Sequence, residues 1–392
     1  MKLPRSISTF ARSTVLLLVA AAVWLPCVHL FYDVDDRERR TIVDGLTEAR
    51  LESWARPADV TTMRGVNPEW DYMNRTFTVL ALAEQALAKD VSTERRARLL
   101  ATLDAILDAT LTAERRGDLQ FLLPYAKRGP WLDPEGRSVF VDGEMLMMIA
   151  ARQLVAPRRD LASDARLRAE RITRMMRRSP SLSAESYPNE CWTFCNTTAL
   201  AALAMHDRAT GEDHRDLAQA WISHAKTHLV DPRTGILISS YTWDGTTLDS
   251  AEGSSIWMSA QNLLFVDEAF ARDQWTRARR ELGVTFLGFG WAREWPKGNE
   301  ARPDVDSGPI VPVLDASAGS SGLAILGATA FSDARFERSL LASLGLAAFP
   351  VREGKTLRYR ASNAVGDAVV LCALSFGPLL ERMHSAPIAV HP

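Results

Sequence analysis

An acid set in a greasy stretch is the first residue here that could do chemistry. Glu144 stands in the run VFVDGEMLMMIAA, whose other members, Asp142 apart, are apolar or glycine. A carboxyl in that setting faces a pocket or a partner, or it is a helix-start acid favoured by the helix dipole. Asp142 and Glu144 lie two residues apart, roughly 200° around a helix, so a regular helix cannot point both into one pocket. Cys195 follows Cys191 by four residues, which would put both thiols on one helical face, with Trp192 between them and Asn196 directly after. Either thiol can line a site or pack as a small buried group. Asn196 would orient a substrate hydroxyl or sit as a satisfied core amide. Glu252, in Asp249-Ser250-Ala251-Glu252-Gly253, precedes a helix as a pocket acid or a cap. Tyr241 and Trp243 stand just before it and could wall a pocket or simply pack. Asp71, in Glu69-Trp70-Asp71-Tyr72, opens a helix. Asp304 and Asp306 stand beside Gly308 and Pro309, suited to sugar hydroxyls, to a cation such as Ca²⁺, or to turn roles.

Two carboxyls and a dry pocket suit two reactions. Removing water from an alcohol needs an acid for the leaving hydroxyl and a base for a proton on the adjacent carbon. Burial raises a carboxyl's pKa and keeps one acid protonated. Glycoside cleavage uses the same parts across the scissile bond. No HExxH, CxxC, nucleotide-type phosphate loop or Gly-x-Ser-x-Gly elbow occurs, and the seven histidines are scattered. Neither a cofactor nor a metal is expected.

The chain around these residues has 392 positions, 47% hydrophobic and 24% charged, with formal net charge -2. That excludes a disordered chain and argues against a nucleic-acid partner. Four cysteines exclude a disulfide-built miniprotein.

Residues Ser13 to Tyr32 carry no Asp, Glu, Lys or Arg, enough apolar length to cross a bilayer. Lys2, Arg5 and Arg12 precede the run and hold the N-terminus in the cytoplasm. Bulky residues from Trp24 to His29 argue against signal cleavage, and Pro26 makes Cys27 a poor lipid-attachment site. The expected layout is a cytoplasmic N-terminus and signal anchor over 1–33, then one domain over 34–392 on the periplasmic side of the inner membrane. Beyond Asp35, apolar residues recur at helical spacing, as in Leu99, Leu103, Ile106 and Leu107. Runs at 35–54, 67–88, 93–116, 137–156, 160–178, 190–210, 213–229, 254–271, 274–282, 317–331, 333–346 and 361–384 give about twelve helices. Hairpins are expected over 235–248, around Asp244-Gly245, and over 350–360. The fold class is therefore all-α, an (α/α)6 toroid with small β-hairpins behind one transmembrane helix.

The stretch Tyr187 to Gly235 carries a more specific signal. It reads Tyr187-Pro188-Asn189-Glu190, Phe194-Cys195-Asn196-Thr197, His206-Asp207-Arg208, Thr210-Gly211-Glu212-Asp213-His214-Arg215 and Leu229-Val230-Asp231-Pro232-Arg233-Thr234-Gly235. In order and spacing it resembles the linalool dehydratase–isomerase family of bacterial enzymes, which act on acyclic monoterpene alcohols. The resemblance implies an (α/α)6 fold and places Cys195 at the family's second catalytic cysteine. It puts Ser186 where the first cysteine stands, Glu144 at the histidine, and Glu252 near a tyrosine. The family includes an oligomer, so a homo-oligomer is among the expected assemblies.

These observations lead to a membrane-anchored extracytoplasmic enzyme that dehydrates or isomerises a hydroxylated substrate. Glu144, Cys195, Glu252 and Asp71 are its expected catalytic residues. Asn196, Ser186, Trp192, Tyr241, Asp304 and Asp306 are the expected substrate contacts. The alternatives are a carbohydrate-active toroid acting on a glycan and a non-catalytic envelope subunit.

Overall fold

A computed structural model describes residues 5–55, 65, 67–117, 129–298 and 310–385. The first helix, α1 (Arg5–Trp24), runs into a 3-10 segment, Leu25–Tyr32. Thr9–Tyr32 has a mean hydropathy of 2.2, and it is long and apolar enough to cross a membrane.

Among the described residues, twelve helices then alternate between two layers. The outer ones are α2 (Asp36–Trp54), α4 (Thr93–Arg115), α6 (Ala162–Arg178), α8 (Arg215–His228), α10 (Glu268–Glu281) and α12 (Ala334–Ala347). The inner ones are α3 (Pro68–Leu87), α5 (Val139–Val155), α7 (Thr193–Thr210), α9 (Gly253–Leu263), α11 (Ala318–Ala330) and α13 (Ala364–Ser375). Each inner helix packs on the next, and α13 returns to α3, so the ring closes as an (α/α)6 toroid.

Composition decides which layer a helix joins. In α5 every residue except Gln153 is buried, and a helix with apolar residues on all sides must lie inside, its few charged groups paired or facing the interior. In α6 a single stripe is buried, Ala165, Ala169, Ile172, Met175 and Met176 with Arg168, while most of the other residues meet water. The closest pass is between α5 and α7. A Cβ on Gly143 would come within 3.3 Å of the Ala199 Cβ, so glycine lets the two backbones approach.

A short helix, α14 (Pro378–His384), lies against the C-terminal ends of α3, α5 and α7. The Leu379 N–H donates to Glu84 at 2.7 Å, Arg382 Nε to the Leu154 carbonyl at 3.4 Å, and Arg208 Nε to the Arg382 carbonyl at 3.4 Å. This end is the floor of the ring. Its buried acid, Glu84, is pushed up to about 8 by burial, against the main-chain N–H groups of Leu379 and Gly377.

The helix boundaries depart from expectation at three places. The 190–210 run starts as a strand, β1 (Cys191–Trp192), and α7 begins only at Thr193. Cys191 and Cys195 therefore share no helical face. The 254–271 run breaks after Leu263, because Asp267 caps a new helix by accepting the Phe270 N–H. The 361–384 run bends by 50° between α13 and α14, where Gly377, at φ +143°, precedes Pro378.

Both expected hairpins form. β2 (Ser240–Tyr241) and β3 (Thr247–Asp249) join β1 in one sheet, and β8 (Pro350–Glu353) pairs with β9 (Thr356–Tyr359). A four-stranded sheet was not expected. It contains β4 (Gly283–Phe286), β5 (Phe289–Ala292), β6 (Ile310–Val311) and β7 (Ala316–Ser317), in the order β4-β5-β7-β6. Its signal is the Leu287-Gly288 pair, both left-handed, as a two-residue hairpin loop requires.

Candidate functional site

The N-terminal ends of the inner helices gather at the mouth opposite that floor. The Tyr72 hydroxyl donates to the Val141 carbonyl at 2.8 Å and ties the first turns of α3 and α5. The Thr193 N–H, at the start of α7, donates to the Ser239 carbonyl at 2.9 Å. Gly253, the first residue of α9, lies against Ser320 of α11.

Asp142 and Glu144 take opposite sides, as their spacing requires. Asp142 points to the outer layer and is fully buried among Arg168 (2.7 Å), Arg137 (3.0 Å) and Arg171 (3.3 Å). Glu144, also buried, takes a hydrogen bond from Thr76 of α3. Burial disfavours its charged form and pushes the carboxyl up to about 7, against that hydrogen bond.

Cys195 belongs to the same neighbourhood. It is buried and hydrogen-bonds Ser186, and the charges of Glu144, Glu69 and Glu190 all act on it. Burial, with these three acids adding, drives the thiol far above its usual range, so it stays protonated at neutral pH. Ser186 is buried beside it and accepts the Trp192 N–H at 3.2 Å, and its carbonyl takes the Ser138 hydroxyl at 2.6 Å. The half-buried Trp192 donates its indole N–H to Glu190. Glu69, in the first turn of α3, is half-buried too. The ring thus brings a deep carboxyl with a raised pKa, a thiol, a serine and two acids within reach of water into one neighbourhood, with the Trp192 indole on one of those acids.

Glu252 forms a second cluster. It caps the start of α9 without a side-chain bond to it, and its electrostatic neighbours are Ser239, Asp249, Glu294 and Trp295. Burial, with the charges of Asp249 and Glu294 adding, pushes it up to about 7, and the neighbouring polar groups of Ser239 and Trp295 offset this only in part. Glu294 is fully buried and accepts from the Ser254 N–H (2.8 Å) and the Ser317 hydroxyl (2.6 Å). Neither Glu144 nor Cys195 is among the groups that act on Glu252.

The other expected site residues have different surroundings. Asp71 accepts both Nε (3.1 Å) and Nη2 (2.9 Å) of Arg75, which also reaches Thr110 of the outer helix α4. The Asn196 amide holds the main chain, accepting from the Ala184 N–H and donating to the Ala184 and Trp192 carbonyls. Tyr241 is fully buried behind β1, its hydroxyl 2.8 Å from Ser183 Oγ, which also takes the Trp221 indole N–H. Asp304 and Asp306 lie outside the described residues.

Sequence reading missed Thr76, Glu69, Glu190 and Glu294 as site residues. Thr76 stands one turn after Tyr72 among other polar residues, Asn74, Arg75 and Thr78, so nothing in the sequence singles it out. Glu69 and Glu190 read as helix-start and turn acids, and only closure of the ring sets them around Cys195. Glu294 could be placed only once the β4–β5 hairpin was known.

A profile of the linalool dehydratase/isomerase family matches residues 147–363, more than half of the chain. No curated protein shows a significant sequence match. Among solved structures, the GH76A α-1,6-mannanase from Salegentibacter sp. HEL1_6 is 12% identical, with a TM-score of 0.49 over 78% of this chain and 88% of that one. A glycoside hydrolase family 76 mannosidase from Bacteroides thetaiotaomicron VPI-5482 is 10% identical, with a TM-score of 0.49 over 80% and 88%.

Proposed function

We infer that this chain, which belongs to the linalool dehydratase/isomerase family, is a membrane-anchored enzyme that removes or shifts a hydroxyl by acid/base chemistry. The observation that carries this reading is the Glu144 carboxyl, buried among the inner helices and titrating at about 7. An acid that is still protonated near neutral pH can give its proton to a leaving hydroxyl. Water departs, and the adjacent carbon then loses a proton to a carboxylate, leaving an alkene. Glu190 and Glu69, which water reaches, are the bases at hand. Cys195, protonated at neutral pH, serves as a polarisable wall and weak donor rather than as the base. The basic residues Lys2, Arg5 and Arg12 before the apolar span support an orientation with the toroid on the extracytoplasmic side of the membrane.

One observation favours a second reading. Glu252 and Glu294 pair a raised carboxyl with a fully hydrogen-bonded one, the division of labour a glycoside-acting site uses. A screen of the full chain against alkenols and oligosaccharides, with Glu144→Gln and Glu252→Gln beside it, separates the two. Alkenol turnover that Glu144→Gln lowers on the order of 10²-fold or more and Glu252→Gln leaves standing is the expected result. Oligosaccharide cleavage lost in Glu252→Gln would transfer the chemistry to the second cluster. Inertness toward both classes would overturn the enzymatic reading.

A further inference from the structure

The end of the apolar span does not hang free of the toroid. The His29 ring sits on Gly288, where a Cβ would come within 2.1 Å of it, and meets Phe289 edge-on at 6.3 Å. Tyr32 packs against the same Phe289 at 6.3 Å and against Gly345 of α12. The span therefore leaves the membrane against the tip of the β4–β5 hairpin and the end of α12.

Around that exit the surface is apolar without being covered. Phe286 is 62% exposed, Leu346 41% and Phe349 61%, next to Leu30 and Phe31 of the span itself at 61% and 72%. Leu287, at the hairpin tip, is exposed as well. Two of these residues carry their side chains on left-handed backbone, Leu287 at φ +47° and Phe349 at φ +51°. Glycine or asparagine is the ordinary occupant of such positions, and a bulky apolar residue there costs free energy that the local turn does not return. An exposed apolar patch rimming a membrane-crossing helix fits a lipid surface.

We propose that Phe286 and Leu287 of the β4–β5 hairpin, with Leu346 and Phe349 at the α12–β8 corner, form a collar that dips into the leaflet where the N-terminal helix emerges, seating the toroid on the bilayer in one fixed orientation. The strand that carries the hairpin tip continues through Ala292 to Glu294 and Trp295, which adjoin Glu252. The collar thus ties the wall of the mouth to the membrane surface and favours substrates that partition into lipid. The proposal rests on the span crossing the membrane, not on which acid does the chemistry.

Spin-label accessibility on the full chain in phosphatidylcholine/phosphatidylglycerol vesicles tests it. Cys27, the one exposed cysteine among the described residues, is first changed to Ser; Cys191, Cys195 and Cys372 are buried. Single labels then go on at Leu287→Cys, Phe349→Cys, Leu18→Cys in the span and Ser163→Cys on the outer helix α6. The collar labels are expected to behave like position 18, reached by oxygen and shielded several-fold from a water-soluble nickel chelate relative to position 163. Collar labels as open to the chelate as position 163, with position 18 shielded, would overturn the collar alone. An aqueous label at position 18 would overturn the collar and the anchor together. Phe286→Cys on the same hairpin, itself a collar residue, replaces Leu287→Cys if that variant fails to fold.

Discussion

Glu144→Gln lowers turnover on the order of 10² to 10⁴-fold while the toroid stays folded. The amide keeps the shape of the side chain and a partner for Thr76, but it has no proton to give. In the wild type, kcat/KM falls as pH rises through about 7, because that is where Glu144 loses its proton. Residual activity of the variant should lack this limb. Stability follows the same group with a definite sign. The folded protein holds the Glu144 proton more tightly than the unfolded chain, so the contribution is fully present below about 4.5 and is lost as pH rises through about 7. The loss is on the order of 3 kcal/mol. At pH 8 the Gln variant should therefore melt above the wild type, and the gap should close or reverse below pH 5. Retained turnover in Glu144→Gln would move the acid elsewhere.

Arg168→Met costs about 3–5 kcal/mol of stability, the largest structural effect expected of one substitution in this chain. Arg168 is buried where α6 meets α4 and α5, and it pairs with Asp142 at 2.7 Å, Asp164 at 3.2 Å and Glu114. Burial works against its charge, but the hydrogen bond to Glu114 and the charges of Asp142, Glu114 and Asp164 outweigh it and hold the guanidinium protonated. Removing it leaves Asp142 wholly buried with only Arg137 and Arg171, and Glu114 with Arg137. Adding Asp142→Asn should recover part of the loss, because it removes one of the acids (Asp142, Glu114 and Asp164) left in excess over Arg137 and Arg171. Chemical denaturation of the single and double variants reads both effects. A single variant within about 0.5 kcal/mol of wild type would mean that the network is not coupled to folding. The network also braces the first turn of α5, the turn that sets Glu144.

What the sequence revealed and what it hid follow from the range of the interactions. The two layers were legible because burial is written into local composition: α5 has apolar residues on every side and α6 carries one stripe. Glu144 was legible for the same reason, since a carboxyl in a mostly apolar helix must be accounted for. The opposite facing of Asp142 and Glu144 is pure helix geometry. The surroundings of Asp71 were also in the sequence, four residues ahead of Arg75, a spacing that favours an ion pair on one helix. The acids around Cys195 were not legible. Glu69, Glu144 and Glu190 come from three separate segments, and only ring closure brings their charges to one thiol. The break before α10 depends on an Asp267 cap that competes with continued helix, a balance that periodicity does not register.

The central claim is that a carboxyl among the inner helices stays protonated up to neutral pH. Infrared difference titration of the intact protein, wild type minus Glu144→Gln, isolates that one group without any substrate. A protonated-carboxyl C=O band that disappears with a midpoint of about 7 is the predicted result. A midpoint at the ordinary glutamate value of about 4.5, with Glu144 already ionised at neutral pH, would contradict the account.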